Sequence, residues 1–329
     1  MILITGGAGF IGSNLVAALS NKPNLPKIVI VDRLGIDDKW KNIAKHLVYE
    51  IISPDQLQLF LSKNENSLEC IFHLGAVSST TEKDVDLILQ NNFNLSIYLW
   101  RWCISYNVPF IYASSAATYG NGSHGFKDNS TLHELSKLRP LNPYGWSKHL
   151  FDKCIISDLE RGGAHPPQWV GLKFFNVYGP NEIHKGNQSS LVAQMHPHIA
   201  KNKPAILFKS HQDGTKDGEQ SRDFIWIDDC IDIMLWFYKN KQVSGLFNVG
   251  TGQARSFKDL VTIIFHALDC EPRIEYVDTP INIRDQYQYF TEASTQKLKD
   301  VGYEKPFTSL EDGVTQYVKN YLSTIDPYK

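Results

Sequence analysis

Residues 1–32 read MILITGGAGFIGSNLVAALSNKPNLPKIVIVD. Ile2 to Thr5 is a short apolar, β-branched run that stops at glycine, the pattern of a buried strand. Gly6-Gly7-Ala8-Gly9-Phe10-Ile11-Gly12 follows, and Asn14 to Leu19 then repeats apolar residues at helical spacing. Asn21, Pro23 and Pro26 end that helix. Lys27 to Val31 is a second β-branched strand, and Asp32 stands at its end.

A strand, a glycine turn, a helix, a strand and an acid in this order predict a dinucleotide-binding unit. Gly6 allows the tight turn. Gly9, without a Cβ, lets a pyrophosphate approach the backbone. Gly12 lets the helix lie close to the strand. The helix N-terminus offers free N–H groups and a positive dipole end to phosphate. Asp32 can accept bonds from an adenosine ribose diol, which favours NAD. Arg33 can pair with a ribose 2′-phosphate, which favours NADP, so residue chemistry leaves the two cofactors open.

Outward from this unit, Glu69 to His73, Val108 to Ala113 and Trp169 to Phe174 read as further strands. Asp84 to Ile104 and Pro143 to Glu160 read as helices. The alternation predicts an α/β fold, a Rossmann-type doubly wound parallel sheet covered on both faces. A smaller mixed α/β C-terminal substrate domain is expected beyond it. The dinucleotide-binding domain spans 1–175, and 176–329 is mainly the substrate lobe. Segments near 222–250, with strands at Asp223 to Ile227 and Leu246 to Val249, return to the sheet or its rim. Lys209 to Ser221, KSHQDGTKDGEQS, reads as a mobile loop.

Composition narrows the function. Hydrophobic residues at 42% and charged residues at 21% of 329 exclude a mainly disordered chain. Lys+Arg at 33 against Asp+Glu at 35 leaves a net charge of -2, with no basic excess for nucleic acid. The five cysteines are widely spaced without a CxxC pair, which speaks against a disulfide framework or a zinc module. The histidines form no HxxxH or HExxH pattern, so no metal is expected. No apolar run reaches the ~18 to 20 residues of a membrane span. A cytoplasmic protein is the expectation.

Tyr144-Gly145-Trp146-Ser147-Lys148 contains YxxxK, and residues four apart share a helix face. A lysine ammonium beside a phenol favours the phenolate and lowers its pKa from about 10. The tyrosine could then take a proton from a sugar hydroxyl while hydride leaves the adjacent carbon, and the lysine could hold the nicotinamide ribose. Ser115, in Tyr112 to Gly120 (YASSAATYG), follows a predicted strand and can hydrogen-bond the reacting oxygen. Trp100, Trp102 and Phe93 fall at helical spacing, which suits core or subunit packing.

The GxxGxxG turn and the Ser115, Tyr144 and Lys148 set resemble the extended short-chain dehydrogenase/reductases. The segments FHLGAVSSTTEKD (72–84), PLNPYGWSKHLFD (140–152), FFNVYGPNEIHKG (174–186), SRDFIWIDD (221–229), FNVGTGQARSF (247–257) and QYQYFT (286–291) narrow this further. Across nearly the whole chain they resemble the ADP-L-glycero-D-manno-heptose 6-epimerase family. Ser78 to Glu82 and His184-Lys185-Gly186 are the most specific marks. The resemblance implies transient oxidation at C6 of an ADP-heptose by bound NADP, with NAD as the alternative, in lipopolysaccharide core precursor synthesis. It implies acid/base roles for Tyr144 and Lys185.

By match, Phe10 and Ile11 would line the pyrophosphate turn, and Asp32, Arg33 and Lys39 would sit near the adenosine ribose. Leu74, Gly75, Ala76, Val77, Ser78, Asn91 and Val177 would line the cofactor path. Asn176, Lys185, Asn187, Gln194, Phe208, Arg222 and Tyr287 would contact the ADP-sugar. The planar fork of Arg222 suits a diphosphate, although an ordinary surface ion pair with Asp223 is the alternative. A homo-oligomer, of more than two subunits by the family's habit, is also implied. Arg33, Asn187 and Gln194 depart from the family's Asn, Ser and His. A 4-epimerase or dehydratase of another nucleotide sugar, or a non-enzymatic dinucleotide sensor, would be the alternatives. A dehydratase would need an acidic pair in the segment that here reads Ser115-Ala116-Ala117-Thr118, and a sensor would typically lack the intact Tyr144 and Lys148.

Overall fold

The computed structural model describes residues 1–20, 27–284 and 287–329, so Asn21, Pro23, Pro26 and Gln286 lie outside the described residues. The strands in chain order are β1 (Ile2–Thr5), β2 (Ile28–Val31), β3 (Glu50–Ile52), β4 (Cys70–His73), β5 (Phe110–Ser115), β6 (Trp169–Phe174), β7 (Asn176–Tyr178), β8 (Ala205–Phe208), β9 (Ser221–Trp226), β10 (Gly245–Val249), β11 (Ala254–Ser256) and β12 (Ile274–Val277).

Seven of these form one wholly parallel sheet in the order β10-β6-β5-β4-β1-β2-β3. Alternate side chains of its central strands enter two separate cores. Ile2, Ile4, Ile30, Phe72 and Leu172 pack against helices Phe10–Ser20, Ile227–Lys239 and Phe257–Ala267. Leu3, Val29, Ile71, Phe110 and Tyr112 pack on the other face, against helices Leu57–Lys63, Leu95–Ser105 and Pro143–Glu160. Burial on both faces is why these strands are continuously apolar instead of alternating. Trp100 and Trp102 are buried in the second core, Trp100 edge-on to Phe110, Phe151 and Trp169.

The chain runs β1, β2, β3 to one side and then crosses over to β4 on the other. The carboxyl ends of β1 and β4 therefore diverge into a crevice, the position where open α/β sheets take ligands. Thr5 pairs with His73 in register and hydrogen-bonds its ring at 2.7 Å. The Gly75 N–H donates to the Thr5 hydroxyl at 3.0 Å, which ties the two turns together.

Leu246 to Val249 does return to the main sheet, as part of β10. Residues 223–226 do not. They lie in β9, at the centre of a three-stranded sheet with β7 and β11. β8 and β12 pair as a third, two-stranded sheet that the sequence pattern did not suggest. The 209–221 segment, expected as a mobile loop, makes hydrogen bonds within itself and to its neighbours. His211 donates its N–H to the Tyr289 hydroxyl at 3.0 Å, Ser210 donates its own to Asp217 at 2.7 Å, and the Gln220 amide reaches the Phe208 carbonyl at 3.2 Å.

Candidate active site

A cleft of 1310 Å³ opens at the switch point and runs between the main sheet and the β8 and β9 segments. Its floor is the glycine turn. Gly6 has φ 68, and a Cβ on Gly12 would stand 2.1 Å from the Gly6 carbonyl oxygen, so the helix closes on the strand only because that Cβ is missing. The turn leaves room and N–H groups for a pyrophosphate, so the residues present fit a dinucleotide.

Asp32 does more here than face a ribose. Its Oδ2 accepts the Ala8 N–H at 2.9 Å, and its Oδ1 accepts the Arg33 N–H at 2.7 Å and the Lys39 ammonium at 2.5 Å. The carboxylate thus holds the turn and the cation beside it. Arg33 stands outside the cleft wall, exposed and paired with Asp55 at 2.9 Å.

Helix Pro143–Glu160 begins with Asn142 accepting the Gly145 N–H at 2.8 Å and with Pro143 in its first turn, both favoured start signals. Tyr144 and Lys148 follow on one face and line the cleft with Ser115, which ends β5. A Cβ on Gly145 would lie 2.7 Å from the Ala117 carbonyl oxygen. That glycine lets the first helical turn press against the turn after Ser115.

The pKa expectation for Tyr144 is corrected by this arrangement. Burial pushes its phenol up, and a hydrogen bond with Ser115, not the charge of Lys148, works against that rise. Lys148 is itself buried, which brings its ammonium down to about 8, with Asp152 one turn further on pulling the other way.

Asp152 belongs to a buried network that sequence reasoning missed. It pairs with Lys173 at 2.6 Å and accepts the Tyr112 and Ser114 hydroxyls at 2.9 and 2.7 Å. Lys173 also donates to Thr118 at 2.9 Å, and Thr118 to the Ser115 carbonyl at 2.7 Å. This network fixes the backbone beneath Ser115. Its signals in the sequence were a lysine inside the apolar strand WVGLKF and an aspartate four residues after Lys148.

The cofactor path also differs from expectation at Asn91 and Val77. The expected helix over 84–104 contains a π turn at Leu89–Asn94. The extra residue of such a turn re-aims its neighbours, a habit of functional sites. Asn91 donates back to the Leu87 carbonyl at 2.8 Å and does not line the cleft. Asn92 turns inward, accepting the Val77 N–H at 2.8 Å and reaching Ser147 at 3.0 Å. Val77 is thus held from behind, while Leu74, Gly75, Ala76 and Ser78 line the wall.

On the opposite wall stand Asn176, Val177, Lys185, Asn187, Gln194, Phe208 and Tyr287. Lys185 Nζ lies 5.6 Å from the centre of the Phe10 ring, and burial lowers its pKa against the pull of Glu182. His184 hydrogen-bonds Asn42 at 3.0 Å, and burial brings its ring down to about 4.

Arg222 makes no surface ion pair. It is 6% exposed, and its guanidinium is 5.3 Å from the ring centres of both Phe257 and Tyr287, which line the cleft. Asp223 is occupied elsewhere, by Thr251, Gly252 and Ala293. No carboxylate pairs with Arg222 among the described residues. Phe257, the other ring beside this guanidinium, went unread in the sequence.

Among the described residues no helix is long and apolar enough to cross a membrane, and no three His, Cys, Asp or Glu side chains are grouped to hold a metal.

Residues 2–250 match the NAD dependent epimerase/dehydratase family. An ADP-L-glycero-D-manno-heptose-6-epimerase of Fusobacterium nucleatum is 45% identical over 336 residues, covering 100% of both chains. One from Nitratidesulfovibrio vulgaris is 44% identical over 330 residues, again covering 100% of each. The crystal structure of the Helicobacter pylori ADP-L-glycero-D-manno-heptose-6-epimerase superimposes with a TM-score of 0.79 at 31% identity, over 98% of this chain and 96% of that one.

Proposed function

The chain belongs to the NAD dependent epimerase/dehydratase family, among the ADP-L-glycero-D-manno-heptose-6-epimerases, and we propose on that footing that it interconverts ADP-D-glycero-D-manno-heptose and ADP-L-glycero-D-manno-heptose. The observation that carries the reading is that Ser115, Tyr144, Lys148 and Lys185 line one cleft with the glycine turn. The nicotinamide dinucleotide, when bound, supplies reversible hydride transfer for a transient oxidation at C6.

The chain's own groups handle binding and protons. The turn around Gly9 and the helix N-terminus behind it hold the pyrophosphate. Lys148 holds the ribose next to the reacting centre. Epimerisation presents C6 in two orientations, so each needs a proton-transfer group. Tyr144 serves one, with Ser115 hydrogen-bonded to the same oxygen, and Lys185 serves the other. The burial that lowers the Lys185 pKa supports proton exchange nearer neutral pH.

Arg222, its guanidinium set over the rings of Phe257 and Tyr287, takes the diphosphate of the sugar nucleotide. Phe208, edge-on to Tyr287 at 6.2 Å, flanks its base, and Asn176, Asn187 and Gln194 contact the sugar end. NADP is assigned as the preferred dinucleotide. The support is the Lys39 ammonium, which lines the cleft and pairs with Asp32 at the end of β2. A cytoplasmic homo-oligomer, with 1–175 as dinucleotide unit and 176–329 as mainly substrate lobe, completes the proposal.

The test is incubation of the purified protein with ADP-D-glycero-D-manno-heptose, following C6 configuration by proton NMR without added cofactor. Conversion to a mixture of both epimers is expected. No conversion, even with NADP+ or NAD+ supplied, would move the substrate to another nucleotide sugar. Release of the bound dinucleotide by denaturation and its mass would decide NADP against NAD.

A further inference from the structure

Glu182 is a wholly buried carboxylate in the segment between β7 and helix Leu191–Ile199. Burial pushes its pKa up, so holding it there carries a cost. No lysine or arginine makes an ion pair with it among the described residues. What surrounds it is a set of donors. Oε1 accepts the Gly179 N–H at 3.3 Å and the Ser190 hydroxyl at 2.6 Å, while Oε2 accepts the Ser190 N–H at 2.6 Å.

These donors come from the two ends of the 179–190 segment. Between them lies the short 3-10 helix Ile183–Gln188, broken at Gly186, which carries Lys185. The Lys185 N–H donates to the Glu182 carbonyl at 2.9 Å. The side chain and the main chain of Glu182 thus hold the same short arc from both sides. A carboxylate accepts at both oxygens, which a carboxamide cannot do: its NH₂ would face either the Gly179 and Ser190 donors or the Ser190 N–H.

We propose that Glu182 is a positioning residue for the reaction, a buried carboxylate that ties the ends of the 179–190 segment and so holds Lys185 over the glycine turn. The proposal rests on the reading of Lys185 as a proton-transfer group. Its consequence is a particular division of effects. Loss of the clamp lets Lys185 wander from the reacting carbon, so turnover falls. The glycine turn and Arg222 lie on other elements, so the dinucleotide is retained, and substrate affinity changes little because Asn187 is the one proposed sugar contact on the loosened arc.

The experiment measures kcat and KM for the ADP-heptose, retained dinucleotide and Tm for Glu182→Gln, Ser190→Ala and Lys185→Met. Glu182→Gln is expected to lose about tenfold or more in kcat with KM within about twofold of the parent and the dinucleotide retained. Ser190→Ala removes the hydroxyl's bond to Glu182 and its cap on the Ala193 N–H, and keeps the carboxylate and the Ser190 backbone N–H. It is expected to show the same split at about threefold, and it serves if Glu182→Gln does not fold.

A loss that appears in KM or in dinucleotide retention instead of kcat would make Glu182 merely structural. So would Glu182→Gln and Ser190→Ala proteins of lowered Tm and parental kcat. Parental kcat in Lys185→Met would remove the Lys185 role and this proposal together. An inactive Lys185→Met beside a fully active Glu182→Gln would remove this proposal alone.

Discussion

Tyr144 and Arg222 fail differently because they meet the substrate at different ends. Burial pushes the Tyr144 phenol up, with Ser115 as its hydrogen-bonding neighbour. Tyr144→Phe removes one oxygen and little volume, so the chain should fold and keep its dinucleotide. Turnover should fall by about 10²–10⁴-fold, the usual worth of a positioned acid/base group. Near-parental kcat by the NMR assay would end its acid/base role. Arg222 is a cation buried beside two rings, and burial works against its charge. Arg222→Lys keeps the charge but loses the guanidinium over the two rings and its forked donors. KM for the ADP-sugar should rise about tenfold or more with a smaller change in kcat. A loss confined to kcat would move Arg222 from diphosphate binding to some other task.

At the scale of elements, the approach of helix Pro143–Glu160 to the end of β5 sets the distance between Ser115 and Tyr144. Gly145 is the point of contact, since a side chain there would meet the Ala117 carbonyl oxygen at 2.7 Å. Gly145→Ala must move the helix or the turn, and both carry a catalytic group. The expected result is a kcat lowered by about tenfold or more, with dinucleotide retained, because the glycine turn sits on other elements. Unchanged kcat would mean that the turn yields without disturbing Ser115. This contact also marks what could be read in advance. Ile2–Thr5, Pro143–Glu160 and Trp169–Phe174 were legible to the residue, because apolar runs and helix start signals are local. Ser115, Tyr144 and Lys148 were legible as a set of residue types in order. Asn92 was not, because a π turn shifts facing by one residue without leaving a pattern. The Asp152–Lys173 pair was not, because its partners come from three elements and meet only when the sheet forms. Arg222 was legible as a fork for a diphosphate, but the alternative of a surface pair with Asp223 stayed open until the fold sent the two apart. Adjacent residues of a strand point to opposite faces.

Over the whole molecule, folding leaves several titratable groups in places where their charged forms are poorly solvated. His73 ends β4 at the switch point, hydrogen-bonded to Thr5 and Ser96 at 2.7 and 2.9 Å. Burial first, and the Lys148 charge second, bring its ring down to about 3. His149 and His184 are brought down to about 4, burial again leading. An unfolded chain protonates its histidines near 6.5, so it binds protons that the folded chain refuses as the pH falls below that value. Stability is therefore lost between pH 6.5 and the folded values, with His73, whose ring is brought furthest down, contributing on the order of 3 kcal/mol at pH 4.5. The buried carboxyls of Glu182 and Asp223, raised by burial, act in the opposite sense. A comparison of two proteins that share those carboxyls isolates the histidine. His73→Asn keeps a polar group at the end of β4 and removes the titration. Its Tm at pH 7 should be lower, since the ring packs against Phe110. Its stability should then fall less steeply from pH 6.5 to 4.5, by about one proton's linkage, when both proteins are unfolded in urea across that range. Parallel slopes would show that His73 takes up its proton in the folded state, and that the junction of β1 and β4 tolerates an imidazolium beside Lys148.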